Sequence, residues 1–138
     1  MPEKDGKPHY HVTAGLIWKD GKLLISKRAK GAHLEGLWEF PGGKQEPGEG
    51  LRECLKREID EELGIEARVD APLLTVDHEY ANKWISLHVF DCAWVKGEPL
   101  TLQCQEVRWV DWNELSDLTF PPPDTKVIES LTKRRNYE

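Results

Sequence analysis

The segment Leu51 to Leu63 constrains this chain more than any other. Leu51, Leu55, Ile59 and Leu63 recur every four residues, which lines one face of a helix with apolar side chains. Gly64 followed by Ile65 supplies the left-handed position and the trailing apolar residue that end such a helix. A helix apolar along one stripe needs a sheet or another helix to cover it. Within the same helix Glu58, Glu61 and Glu62 stand at i, i+3 and i+4 and share a face. Like charges at that spacing repel by roughly 0.2 to 0.5 kcal/mol per pair, and the helix dipole disfavours anions near its C-terminus. Angular arithmetic puts Glu58 and Glu62 next to Leu51 and Leu55, at the margin of the buried stripe. Two readings stand: a solvated acidic surface, or carboxylate oxygens gathered for a hard divalent cation whose charge would relieve the repulsion.

Before this helix, Lys27 to Gly50 is rich in Gly, Pro and charge, punctuated by Pro41-Gly42-Gly43 and Pro47-Gly48. It reads as an irregular loop of unusual length, packed by Leu37, Trp38 and Phe40. His11–Trp18 and Lys22–Ser26 flank Asp20-Gly21 and predict a tight hairpin. Ala67–Tyr80 and Trp84–Val95 predict a long hairpin around Ala81-Asn82, and Val107–Val110 a short strand. Pro121-Pro122-Pro123 interrupts the chain, and Asp124 is a candidate N-cap for a last helix carrying Val127, Ile128 and Leu131 before the charged tail from Lys133 to Glu138. That order predicts an α/β sandwich with a mixed central sheet between helices. With 138 residues the chain makes one domain, expected over residues 9–138 behind a flexible segment at 1–8.

Composition excludes several classes. At 38% apolar and 32% charged residues with six Trp, the chain is too hydrophobic for disorder. A net charge of −6 disfavours binding to a nucleic-acid polymer, and a polyanionic ligand would need help from cations. No window approaches the roughly 18 uninterrupted apolar residues of a membrane span, and Met1 to Pro8 lacks the apolar stretch of a secretory signal, so a soluble cytoplasmic protein is expected. Cys54, Cys92 and Cys104 are odd in number, far apart and without a C-x-x-C pair, which reads as small reduced residues rather than a disulfide framework or zinc knuckle. His9, His11, His78 and His88 show no ligand spacing, and Trp84, Trp94, Trp109 and Trp112 read as core or interface.

Gly43, Glu49 and the run Arg57-Glu58-Ile59-Asp60-Glu61-Glu62-Leu63-Gly64-Ile65 match G-x5-E-x7-R-E-U-x-E-E-x-G-U, with U apolar, at every specified position. The sequence therefore resembles the Nudix hydrolases. Arg28, Ala32-His33-Leu34, Trp38 to Gly43 and Phe120-Pro121-Pro122 resemble the MutT branch of that family, whose members hydrolyse nucleoside triphosphates to monophosphate and pyrophosphate. The resemblance implies a Nudix-type α/β/α sandwich with a catalytic loop-helix-loop and a C-terminal helix. It implies a Mg²⁺ cofactor, with Mn²⁺ as the alternative, held by Glu58, Glu61, Glu62 and the backbone carbonyl of Gly42. By the same resemblance Arg57 holds a glutamate in place, Glu49 supports the loop or a second metal, and Glu58 orients or deprotonates the attacking water. Glu106 stands where some relatives provide another ligand, and reads equally as a surface glutamate. Arg28 and Lys27 would add phosphate contacts or be exposed cations at a strand end, while His33, Glu39 and Phe40 are assigned to the substrate side.

After Phe-Pro-Pro the branch carries Asn where this sequence has Asp124. Asn offers a donor and an acceptor, whereas ionised Asp only accepts, so Asp124 favours an exocyclic amine such as that of cytosine or adenine. A raised pKa would restore a donor, and the helix-cap reading stays open beside both. The implied activity is cleavage of (deoxy)nucleoside triphosphates, with oxidised dGTP, and hence sanitation of the nucleotide pool, as first candidate. CTP, dCTP or a modified cytosine nucleotide comes next. Rivals are a Nudix enzyme for nucleotide sugars or dinucleoside polyphosphates, and a nucleotide-binding module without catalysis. No nucleic-acid or membrane partner is expected, and the chain is a monomer or a homodimer.

Overall fold

The computed structural model describes residues 3–136. In chain order the strands are β1 (Glu3–Lys4), β2 (Lys7–Lys19), β3 (Lys22–Arg28), β4 (Trp38–Glu39), β5 (Glu66–Tyr80), β6 (Lys83–Lys96) and β7 (Cys104–Val110). Helix α1 (Leu51–Leu63) lies between β4 and β5, a 3₁₀ helix spans Trp112–Asp117, and α2 (Pro122–Asn136) is the last element of the described residues. Both hairpins and α1 fall where alternation and four-residue spacing place them, and Gly64 ends α1 at φ 65° with its N–H donating to the Asp60 carbonyl at 2.9 Å.

Several features differ from expectation. Residues 3–8, expected to be flexible, fold back as β1 against the start of β2, because Asp5-Gly6 is the same kind of turn pair as Asp20-Gly21. Met1 and Pro2 lie outside the described residues. β4 sits inside the expected loop and is too short to show alternation. β7 begins at Cys104, so Glu106 lies within the strand rather than ahead of it. The 3₁₀ helix carries a reciprocal cap between Asp111 and Glu114, a Asp-x-x-Glu signal legible in the sequence.

One sheet of seven strands forms the middle of the molecule, with β4, β3, β2, β6 and β5 in order and β7 along the other edge of β3. β6 runs parallel to β2 from His9↔Trp84 to Trp18↔Ala93. β3, by contrast, pairs with β2 only at Trp18↔Leu23 and Lys19↔Lys22 and then diverges. An open edge on a central strand leaves main-chain groups unpaired, so other chain must fill the wedge. β4 takes the freed edge of β3. The residues after it take the freed edge of β2: Gly15 N–H donates to Pro41 O, Thr13 N–H to Gly43 O and Gln45 N–H to His11 O, each at 2.8 Å.

Strand alternation sends the two faces of the sheet to different helices. Leu16, Leu23, Ile25, Leu87 and Val89 pack with Leu115 and with Val127 and Leu131 of α2. Ile17, Leu24, Phe90 and Cys92 pack with Leu55, Ile59 and Leu63 of α1. This is the expected α/β/α sandwich. Cys54 and Cys92 are buried and Cys104 half-buried, all free thiols, and Trp112 is the most enclosed of the late tryptophans. Because Leu55 is fully buried between α1 and the sheet, Leu55→Ala is expected to cost about 2 to 5 kcal/mol in urea unfolding. A loss under about 1 kcal/mol would mean that α1 is not anchored as described.

Candidate active site

The wedge opens into a cleft that gathers Thr13 of β2, His33 and Gly42-Gly43-Lys44 of the loop, Glu58 and Glu62 of α1, Tyr80 and Lys83 at the tip of the long hairpin, and Asp124 of α2. The glycine pair lets the loop lie between strand and helix. A Cβ at Gly42 would collide with the Thr13 carbonyl, and one at Gly43 with the Glu58 carboxylate. Thr13 Oγ1 also donates to the Gly43 carbonyl at 3.2 Å.

Arg57 ties this loop to α1. Its Nε and Nη2 reach the two oxygens of Glu49 at 2.6 and 2.9 Å, a bidentate pairing that suits the planar guanidinium. Nη1 donates to Glu58 Oε1 at 2.7 Å and to Glu61 Oε2 at 3.1 Å, and Nη2 to the Lys44 carbonyl at 3.2 Å. The hydrogen bonds from Arg57, and then the Glu46 N–H, hold the Glu49 carboxyl down to about 2. Arg57 itself is raised by the same contacts.

The other acids are pushed the opposite way. Burial raises Glu62 to about 9, the charges of Glu39 and Glu58 add to the rise, and the Gly42 N–H, 3.3 Å from Oε2, opposes it. Burial also raises Glu58 against its bond to Arg57, and raises Glu39 against its 2.8 Å ion pair with Arg28. Asp124 is lifted to about 7, first by burial and then by the charge of Glu39. It is not the N-cap of α2. The helix starts at Pro122, whose neighbour Pro123 also lacks an N–H, so the first turn has fewer donors to satisfy and the Asp124 carboxylate turns inward to accept the Phe40 N–H at 3.3 Å.

Not every expected site residue comes to the cleft. Glu61 is half exposed and engaged by Arg57. Glu106 pairs with Arg108 at 2.9 Å on β7 and does not line the cleft, and neither does Lys27. Among the described residues no three His, Cys, Asp or Glu side chains converge as a formed cation site. Arg28 lines the cleft but is already committed, its Nε to the His33 carbonyl at 2.6 Å and its Nη1 to Glu39. The Phe40 ring is only 3% exposed and stacks on Phe120 at 5.4 Å, so it is core and offers its backbone rather than its face. The lining residues that sequence reasoning missed include Lys44, Lys83 and Tyr80. Lys44 directly follows the glycine pair and was open to inference. Tyr80 and Lys83 flank a turn whose direction only the tertiary structure sets.

The NUDIX domain family model matches residues 13–130, from the strand that carries the loop to the last helix. This chain belongs to that family. It is 35% identical to the CTP pyrophosphohydrolase of Escherichia coli over 124 residues, covering 90% of this chain and 92% of that protein. It is 36% identical to the 8-oxo-dGTP diphosphatase of Haemophilus influenzae over 122 residues, covering 87% and 89%. Among solved structures, the E. coli ORF135 protein superposes with a TM-score of 0.81 at 31% identity, covering 97% of this chain and 96% of that one. The MutT protein of Methanosarcina mazei superposes with a TM-score of 0.82 at 27% identity, covering 96% and 98%. The chain is thus a Nudix hydrolase of MutT-like fold.

Since the folded Glu49 carboxyl sits near 2 against an ordinary 4.5, its contribution to stability is complete above about pH 4.5 and is lost as pH falls toward 2. Arg57→Gln removes the cause. Thermal melts of this variant should show a shallower loss between pH 5 and 2 than the wild type, and parallel slopes would mean that the Arg57–Glu49 pair is not formed in solution.

Proposed function

We propose that this Nudix hydrolase cleaves nucleoside triphosphates to monophosphate and pyrophosphate with Mg²⁺, or Mn²⁺ in its place, acting on free nucleotides in the cytoplasm. The observation that carries the reading is a single cleft holding two kinds of acid: the crowded Glu58 and Glu62 beside the loop, and the separate, buried Asp124 beside the Phe40 backbone. The first suits phosphate chemistry and the second suits a nucleobase. The names of the relatives agree, one referring to CTP and the other to 8-oxo-dGTP.

The donors fit a divalent metal. Glu58 and Glu62 offer hard oxygens, and both are raised first by burial and then by neighbouring carboxylates, Glu61 and Glu46 for Glu58 and Glu39 and Glu58 for Glu62, a repulsion that a cation would relieve. These two, with the Gly42 carbonyl, would hold it, and Glu61 would join only by leaving Arg57. A bound divalent cation supplies charge neutralisation for the phosphate oxygens and a lowered pKa for water. Glu58 is the group that orients and deprotonates that water. One of its oxygens is held by Arg57, and burial makes it more basic than a surface glutamate. Lys44 and Lys83 bring positive charge to the same cleft in an otherwise acidic chain. Arg28 positions Glu39 and the His33 segment.

Turnover followed by HPLC over a panel of nucleoside triphosphates, nucleotide sugars and dinucleoside polyphosphates tests the reading. Glu58→Gln should lower kcat by about 100-fold or more, while Glu106→Gln stays close to wild type. Cleavage confined to nucleotide sugars, or nucleotide binding with no turnover, would sink it.

The base is decided at Asp124. Below about pH 7 its carboxyl is protonated and both donates and accepts; above that it only accepts. The ratio of kcat/KM for oxidised dGTP over CTP should therefore fall between pH 6 and 8. In Asp124→Asn the ratio should be high and flat, and an identical pH profile in both proteins would remove Asp124 from base selection.

A further inference from the structure

An ionised Asp124 accepts from a base but cannot donate to it, yet the edges at issue, the amine edge of cytosine and the protonated-N7 edge of oxidised guanine, each set an acceptor beside the donor. The neighbouring acceptor needs a partner of its own. Tyr80 ends β5, lines the same cleft as Asp124, and stands just before the Ala81-Asn82 turn. Its ring meets His33 edge-on with centroids 5.8 Å apart and His78 at 4.7 Å. His78 is tied to α2, where the Lys126 ammonium donates to its Nδ1 at 3.0 Å. An ammonium has only donors, so His78 is the neutral acceptor there. Tyr80 therefore leans on a side chain fastened to the helix that carries Asp124, and the phenol and the carboxylate share one frame.

We propose that Tyr80 is a specificity-determining residue of the nucleoside site, its hydroxyl donating to the base acceptor adjacent to the group held by Asp124. The proposal rests on the nucleoside triphosphate reading above. On cytosine the acceptor is N3, beside the N4 amine from which an ionised Asp124 accepts. Burial, and then the charge of Asp124, raise the Tyr80 hydroxyl above its ordinary pKa, so it remains a donor while Asp124 titrates.

The experiment measures kcat and KM for CTP, for oxidised dGTP and for ribose 5-triphosphate, which has no base. Tyr80→Phe keeps the ring and removes the donor, and should raise KM for the preferred nucleotide about tenfold with a much smaller change in kcat. Tyr80→Ala should raise it further, and neither variant should change KM for the base-free triphosphate. Thermal melts check that both fold. Wild-type KM in Tyr80→Phe on both nucleotides overturns the proposal, as does an equal rise on ribose 5-triphosphate, which marks a structural role. A wild-type protein that turns over no nucleoside triphosphate fails the functional reading itself, before any Tyr80 variant is compared, and overturns this proposal with it.

Discussion

The site rests on the exposed edge of one central strand. β2 is covered on one side by parallel β6 along most of its length, while β3 leaves its other side after two residue pairs. The groups left behind, on His11, Thr13 and Gly15, are main-chain donors and acceptors that a protein interior does not leave unpaired. The loop from Pro41 to Gln45 satisfies them. The shape of the cleft follows from that docking. Gly42 must lack a side chain because the Thr13 carbonyl occupies the space, and a Cβ at Gly43 would push the Glu58 carboxylate from its place. The loop then reaches α1 through the Gly42 N–H to Glu62 and the Lys44 carbonyl to Arg57. A strand pairing defect is thus converted into a rigid seat for carboxylates.

Charge in the cleft is arranged against local stability. Glu39, Glu58, Glu62 and Asp124 are all raised by burial, and two of them, Glu62 and Asp124, further by the charge of others in the set. Such crowding belongs to functional sites, where the surrounding fold tolerates a local cost for chemistry. Two arginines limit the cost, Arg57 on the helix side and Arg28 on the loop side. That division explains why Arg28, which the sequence offers as a phosphate contact or an exposed cation, is bound to protein groups here: Glu39 would otherwise be a buried acid without a partner.

Much of the fold was legible because its signals are local. Four-residue spacing and Gly64 delimit α1, and the turn pairs Asp20-Gly21 and Ala81-Asn82 delimit the hairpins. The same logic applied to Asp5-Gly6 would have found β1, and Asp111 with Glu114 would have found the 3₁₀ helix. β4 was not legible, since two residues carry no period. At the site, the box spacing located Glu49, Arg57, Glu58 and Glu62, which the structure does bring together, but it gave Glu61 the same standing although its side chain faces the Arg57 side and solvent.

Sequence by itself determined the acidic helix, the glycine pair before it and the spacing that marks the family, because each depends on the geometry of consecutive residues. Tertiary structure alone decided which acids are buried and what they meet. Angular position around a helix is a local property, whereas burial depends on what covers that face. Asp124 shows the difference: a proline-rich entry to α2 suggested a cap, but its partner is the Phe40 N–H, 84 residues earlier in the chain. Tyr80 and Lys83 enter the cleft only because β5 and β6 are long enough to carry their turn to the loop. Strand length is written in the sequence, but the direction in which a hairpin extends over a neighbour is set by sheet order, which no local pattern encodes.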